Sequence, residues 1–164
     1  MGVVGAGGVS SAAPAMNLSF GASGVGASGG WTAGVGSPID LTLGSPSDST
    51  FALITLHHVA PDTVATMPEP SFATNAYNSG SPRWYVTLSN GDTLWGYPPQ
   101  MSGGSYFLWA IDNGNSYVPW TTIRADETAS GATVTGAWII ADGDQVAGTT
   151  NVITGLTFGT HAYN

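Results

Sequence analysis

The chain has 164 residues and carries ten Asp and Glu against two Arg and no Lys, a formal net charge of -8, with charged residues at only 7% of the total. That length builds one domain, or one domain and a tail, and argues against a two-domain enzyme. Arg83 and Arg124 cannot supply the phosphate contacts of a nucleic-acid binder, the same charge disfavours anionic membranes, and the absence of Cys excludes disulfides, thiolate metal sites and a catalytic thiol.

Residues 1–30 form a Gly/Ala/Ser-rich segment without a charge and without strand or helix periodicity. Three readings stand side by side: a tail, an assembly arm, or a relict export signal. The last rests on small apolar residues from Gly2 to Ala15 ending in Ala12-Ala13-Pro14-Ala15, although a basic leading region is missing. No apolar run reaches the length of about eighteen residues that a membrane-spanning helix needs. Residues 31–164 read as a single domain, with strand signals starting near residue 17 or 39.

Ile39, Leu41 and Leu43 alternate with polar residues and predict a half-buried strand. From Phe51 to Val59 the run is apolar on both faces, with Phe51, Leu53 and Thr55 on one side and Ala52, Ile54 and Leu56 on the other. That pattern predicts a central strand. Pro61, Pro68 and Pro70 then impose a loop, because proline lacks the ladder donor.

Residues 83–97 carry the clearest signal. Asn90-Gly91 suits a two-residue type I′ turn, which predicts pairing of Leu88 with Thr93, Val86 with Trp95 and Trp84 with Tyr97. In that register Trp84, Val86, Leu88, Trp95 and Tyr97 share one face, while Tyr85, Thr87 and Leu94 share the other. A strand is expected over 106–111, then a turn at Asp112-Asn113-Gly114-Asn115 and a returning strand from Tyr117 to Arg124 bent at Pro119. Thr133 to Ala141 alternates around Trp138, Asp142-Gly143-Asp144 turns the chain, and Asn151 to Phe158 closes the series. Turn signals every eight to twelve residues or so, and no amphipathic helical period, predict an antiparallel β-sandwich of jelly-roll or immunoglobulin-like type with seven to nine strands.

Six Trp and six Tyr make aromatic surface the strongest functional signal. Such rings fill sandwich cores, yet with rings on both sides of one hairpin, one side is expected to face solvent. Indole and phenol stack on the C–H faces of sugars, so Trp84, Trp95, Tyr97 and Tyr85 are the candidate ligand-binding residues. Arg83 opens the same hairpin and is placed with them, either clamping a ligand, stacking on Trp84 or Tyr97, or pairing with a carboxylate such as Asp92, Asp126 or Glu127. Asp142 and Asp144 set carboxylates around a glycine turn and are the candidate calcium ligands, against the plainer reading of an Asx turn. His57 and His58 point to opposite strand faces and cannot share a metal through their side chains.

Catalysis finds little support. Glu69 and Glu127 are the only glutamates and neither is placed as one of a hydrolytic pair, and no nucleophile elbow surrounds a serine. The composition resembles that of carbohydrate-binding modules, with few charges and many Trp, Gly, Ser and Thr, and no alignable motif carries the likeness further. What that resemblance implies is a secreted, extracellular binder of a polysaccharide or glycan. The competing expectation is a self-assembling subunit of a virion, filament or surface layer, a homo-oligomer whose N-terminal segment packs on a neighbour.

Overall fold

The computed structural model describes residues 18–44, 50–57, 62–75, 81–98, 107–112, 114, 116–126, 129–142 and 149–163. Most of the Gly/Ala-rich segment, together with Asn113, Asn115, Glu127, His58 and Asp144, lies outside them. The relict signal expected over residues 1–15 therefore lies outside the described residues, as does the tail or assembly arm expected over residues 1–30 as far as residue 17.

Eleven strands are present among the described residues, rather than seven to nine. In chain order they are β1 (Leu18–Ser23), β2 (Ser28–Trp31), β3 (Ile39–Thr42), β4 (Phe51–Leu56), β5 (Ser71–Thr74), β6 (Arg83–Leu88), β7 (Thr93–Tyr97), β8 (Leu108–Ile111), β9 (Val134–Asp142), β10 (Thr150–Phe158) and β11 (His161–Ala162). The surplus consists of short strands such as Ser28–Trp31 and His161–Ala162, too brief or too glycine-rich for alternation to show. Residues 18–30, which lack strand periodicity, nonetheless supply β1 and β2.

All pairings are antiparallel, in two sheets. One runs β1-β4-β9-β6-β7-β8; the other runs β11-β10-β3-β2, with β5 on the opposite edge of β10. Their inner faces meet in a single apolar core. Ala52, Ile54, Trp84, Val86, Ala137 and Ile139 come from the first sheet, Ile39, Leu41, Ile153, Leu156 and Phe158 from the second. Trp84 spans the interface, its ring 5.7 Å from Phe72 and 5.3 Å from Phe158. The inward set expected for β3 is the buried one, and β4 is central, between β1 and β9, with Ala52, Ile54 and Leu56 buried and its other face half-buried.

The hairpin of β6 and β7 differs from expectation in one decisive respect. Its loop holds three residues, not two: Gly91 N–H donates to the Leu88 carbonyl at 3.1 Å, and Leu88 N–H donates to the Asp92 carbonyl at 3.0 Å. Gly91 takes the left-handed conformation at φ 95, while Asp112 is the one non-glycine residue with positive φ among the described residues. Asn90 is thus not left-handed, and the loop is a type I turn followed by a glycine bulge. The extra loop residue slips the register by one, so Trp84 pairs with Gly96, Tyr85 with Trp95 and Val86 with Leu94. Because side chains alternate with period two, that slip moves Trp95 and Tyr97 to the face of Tyr85 and Leu94 to the face of Trp84.

A second difference lies at residues 120–125. The returning strand is instead a six-residue helix, α1 (Trp120–Ala125), after Pro119 in extended conformation. Trp120 and Ile123, three apart, are its buried residues. In place of the strand, Val118 alone bridges Trp109, with reciprocal hydrogen bonds of 2.8 Å. A third is a bulge in β9, where Thr87 pairs with Gly136 but Leu88 with Val134. It turns Val134 inward while Trp138 and Ile140 face outward, so the three do not share a face.

Candidate functional site

The outer face of the six-stranded sheet gathers the candidate residues. The cross-strand pairs Thr55–Trp138, Trp138–Tyr85, Tyr85–Trp95 and Trp95–Ala110 form one continuous row across five strands. Its middle is aromatic. Tyr85 lies 4.7 Å from Trp95 and 5.6 Å from Trp138 between ring centroids, with interplanar angles of 47° and 39°. All three rings are half-buried, in tilted contact with one another, and each keeps part of its surface accessible.

Glycine shapes this face. A Cβ on Gly136 would lie 2.3 Å from the six-membered ring of Trp138, so the indole settles into the space a side chain would fill. The inner face repeats the device, with Trp109 seated over Gly96, where a Cβ would come within 2.7 Å of the ring.

Arg83 borders the row. Its guanidinium donates to the Asp142 carboxylate and sits 5.5 Å above the Trp95 ring centroid. Of the roles expected for Arg83, the carboxylate pair is present, but with Asp142 rather than Asp92, Asp126 or Glu127, and the stacking is on Trp95 rather than Trp84 or Tyr97. Both charges are partly shielded and answer each other, so this border adds no net charge. Beyond it, Tyr97 meets Tyr117 edge-on at 5.2 Å. Burial, then the neighbouring Tyr117, push the Tyr97 phenol above its ordinary value, outweighing Arg83, which keeps it a neutral hydrogen-bonding group at physiological pH. On the other side, Thr87 and Thr135 hydroxyls pair at 2.9 Å.

The structure therefore brings together Arg83, Tyr85, Trp95 and Tyr97, and removes Trp84. That indole is fully buried between the sheets, and its ring nitrogen has no hydrogen-bond partner among the described residues. The one-residue register slip is the cause. In its place stand Trp138 and, at the margin, the half-exposed Tyr117, which is 50% accessible. Trp138 was legible as a strand residue, but only the long-range pairing of β9 with β6 puts it beside Tyr85.

As to metals, the Asp142 carboxylate is engaged by Arg83, and Asp144 is outside the described residues. No cluster of three metal-ligating side chains occurs among the described residues. His57 instead shares a hydrogen bond of 2.7 Å with Ser19. No described helix is long and apolar enough to cross a membrane. Compared with protein-family models, with curated proteins and with solved structures, the chain matches none.

Proposed function

We propose that this sandwich, of jelly-roll or immunoglobulin-like type, is a secreted carbohydrate-binding domain that holds a neutral polysaccharide chain across its outer aromatic face. The observation that carries this reading is the row Trp138–Tyr85–Trp95, three rings in cross-strand register on a solvent-facing sheet. Adjacent strands lie about 4.8 Å apart, close to the length of one pyranose unit, so successive sugars can meet successive rings. The mutual tilts of 39° and 47° make a ridged surface rather than a plane. A single chain, whose sugar rings themselves twist, fits that ridge better than a flat crystalline surface. The net charge of -8 argues against acidic glycans.

Titration of tryptophan fluorescence with soluble neutral glycans tests the reading. Trp95→Ala and Trp138→Ala should each weaken binding by about tenfold, the equivalent of ~1.4 kcal/mol. No response to any neutral glycan would overturn it.

One observation favours the alternative, a self-assembling subunit of a virion, filament or surface layer. On the same face Phe51, Leu53 and Ile140 line an apolar hollow of about 270 Å³ with Asp142 at its rim. It lies toward the edge strand β1, whose sequence LSFGAS carries no charge to discourage strand addition. A large particle in light scattering, together with silence toward glycans, would transfer the proposal to assembly.

A further inference from the structure

A groove away from the ring row is built around two charges that do not meet. Glu69, held between Pro68 and Pro70, accepts a hydrogen bond at Oε1 from the Trp109 indole N–H at 3.0 Å. Its Oε2 has no partner among the described residues. Arg124, near the end of α1, donates from Nε to the Ala65 carbonyl at 2.7 Å, leaving its two terminal amino groups without a partner among the described residues. Each charge is thus aimed by one hydrogen bond, with its remaining polar atoms unpaired among the described residues. They line one groove of about 540 Å³ with Pro119, Trp120 and Thr121, yet form no ion pair. That volume lies within the range of small-molecule sites.

The groove has a firm floor. Trp120 is buried, its N–H donates to the Met67 carbonyl at 3.0 Å, and its ring lies 4.7 Å from that of Trp109. Burial raises the Glu69 carboxyl above its ordinary value and the Trp109 hydrogen bond partly offsets this, which marks the carboxyl as partly desolvated on the protein side. A second hollow of about 280 Å³, lined by Ala65, Thr121, Arg124 and Ala125, shares Thr121 and Arg124 with the first.

The ligand chemistry follows from the donor set. An ionised carboxylate accepts, a guanidinium donates, Thr121 does both, and Pro119 offers an apolar ring. Because the two charges balance, an uncharged ligand leaves neither in excess. A neutral molecule with several hydroxyls and a C–H face meets every requirement. The segment from Tyr117, which packs on Tyr97 at the margin of the outer face, leads within two residues to Pro119 at the groove. We propose that the Glu69–Arg124 groove is a second glycan subsite, which reads hydroxyl positions where the outer face only stacks. It rests on the glycan reading above and adds to it the element that selects one sugar from another. Ring stacking tolerates most pyranoses, whereas a fixed carboxylate and a fixed guanidinium accept few hydroxyl arrangements.

The six indole N–H signals of the ¹⁵N-labelled protein separate the two sites. Trp109 reports on the groove through its bond to Glu69, and Trp95 and Trp138 report on the face. Cellobiose, maltose, mannobiose and galactobiose are titrated in turn, followed by soluble polysaccharides of the same sugars. At least one disaccharide should shift the Trp109 signal saturably. Glu69→Gln, which keeps an acceptor for Trp109, and Arg124→Gln should each weaken that site by roughly tenfold to a hundredfold, with the response of Trp95 and Trp138 to polysaccharide unchanged. A still Trp109 signal beside moving Trp95 and Trp138 signals overturns the groove and leaves the face. A moving Trp109 signal with the other two still supports the groove and overturns the face. Silence of all three overturns both, and equal loss of both responses in the groove variants overturns the assignment of separate roles.

Discussion

Trp84 and Trp95 sit on neighbouring strands of one hairpin, on opposite sides of one sheet, and their surroundings have little in common. Trp84 is enclosed by Phe72, Phe158 and the aliphatic residues of both sheets, with no accessible surface. Trp95 lies against Tyr85 with the Arg83 guanidinium over its ring and remains only partly exposed. The inner ring is surrounded on every side, as core packing requires. The outer row is held by tilted contacts between its rings and by the Arg83 guanidinium over Trp95, and it stays only partly covered. What divides them is the loop between them, since one more or one fewer loop residue would put both rings on the same side of the sheet.

The widest gap between the two regions should appear in stability. Trp84→Ala removes a fully buried indole and leaves a cavity between the sheets, an expected cost of about 3–5 kcal/mol. Trp95→Ala should cost well under half as much, since its neighbours can relax toward solvent. Denaturant midpoints for the two variants measure the contrast, and equal losses would mean that the outer row belongs to the core in energetic terms.

A smaller effect is expected at Gly136. Its replacement by Ala places a methyl group where the Trp138 ring now lies, and the ring must swing away. The variant should lose about 1 kcal/mol of stability, at the low end of the range for overpacking because the ring can move. It should also lose most of the glycan affinity assigned to Trp138. Retained affinity would show that the seat of Trp138 is irrelevant to binding.

The smallest effect concerns Glu69. Its carboxyl titrates higher in the folded protein than the ordinary value of 4.5, so between those two points the native state holds more protons than the unfolded chain. Stability therefore falls as pH rises through that window and is flat above it. Glu69→Gln, which cannot ionise, should flatten this segment of the pH profile. An unchanged slope in the variant would assign it to another group.

The sequence made much of this legible, for a definite reason. Ile39, Leu41 and Leu43 were readable because a regular strand carries its own periodicity, whereas β4, apolar on both faces, was readable as a central strand but not as to which face the core takes. The β6–β7 register was not, because Asn90-Gly91 serves a two-residue turn and a three-residue glycine-bulge turn equally well, and the choice depends on which face of β7 the core accepts. Helix α1 was hidden because six residues contain too few turns to show a helical period. The Glu69–Trp109 contact spans forty positions, and no local pattern encodes a contact at that separation.

The loop from Ser89 to Gly91 is exposed, a place where insertions are ordinarily harmless. Here it behaves as a frame-setting element, much as a codon boundary does for a message. Adding or removing one residue would leave the composition of β7 intact and reverse the side on which each of its residues is displayed. Drift in this domain is thus free to change the identity of the surface rings while the length of that short loop stays fixed, and any relative that keeps the binding face should preserve the count of loop residues more faithfully than the residues themselves.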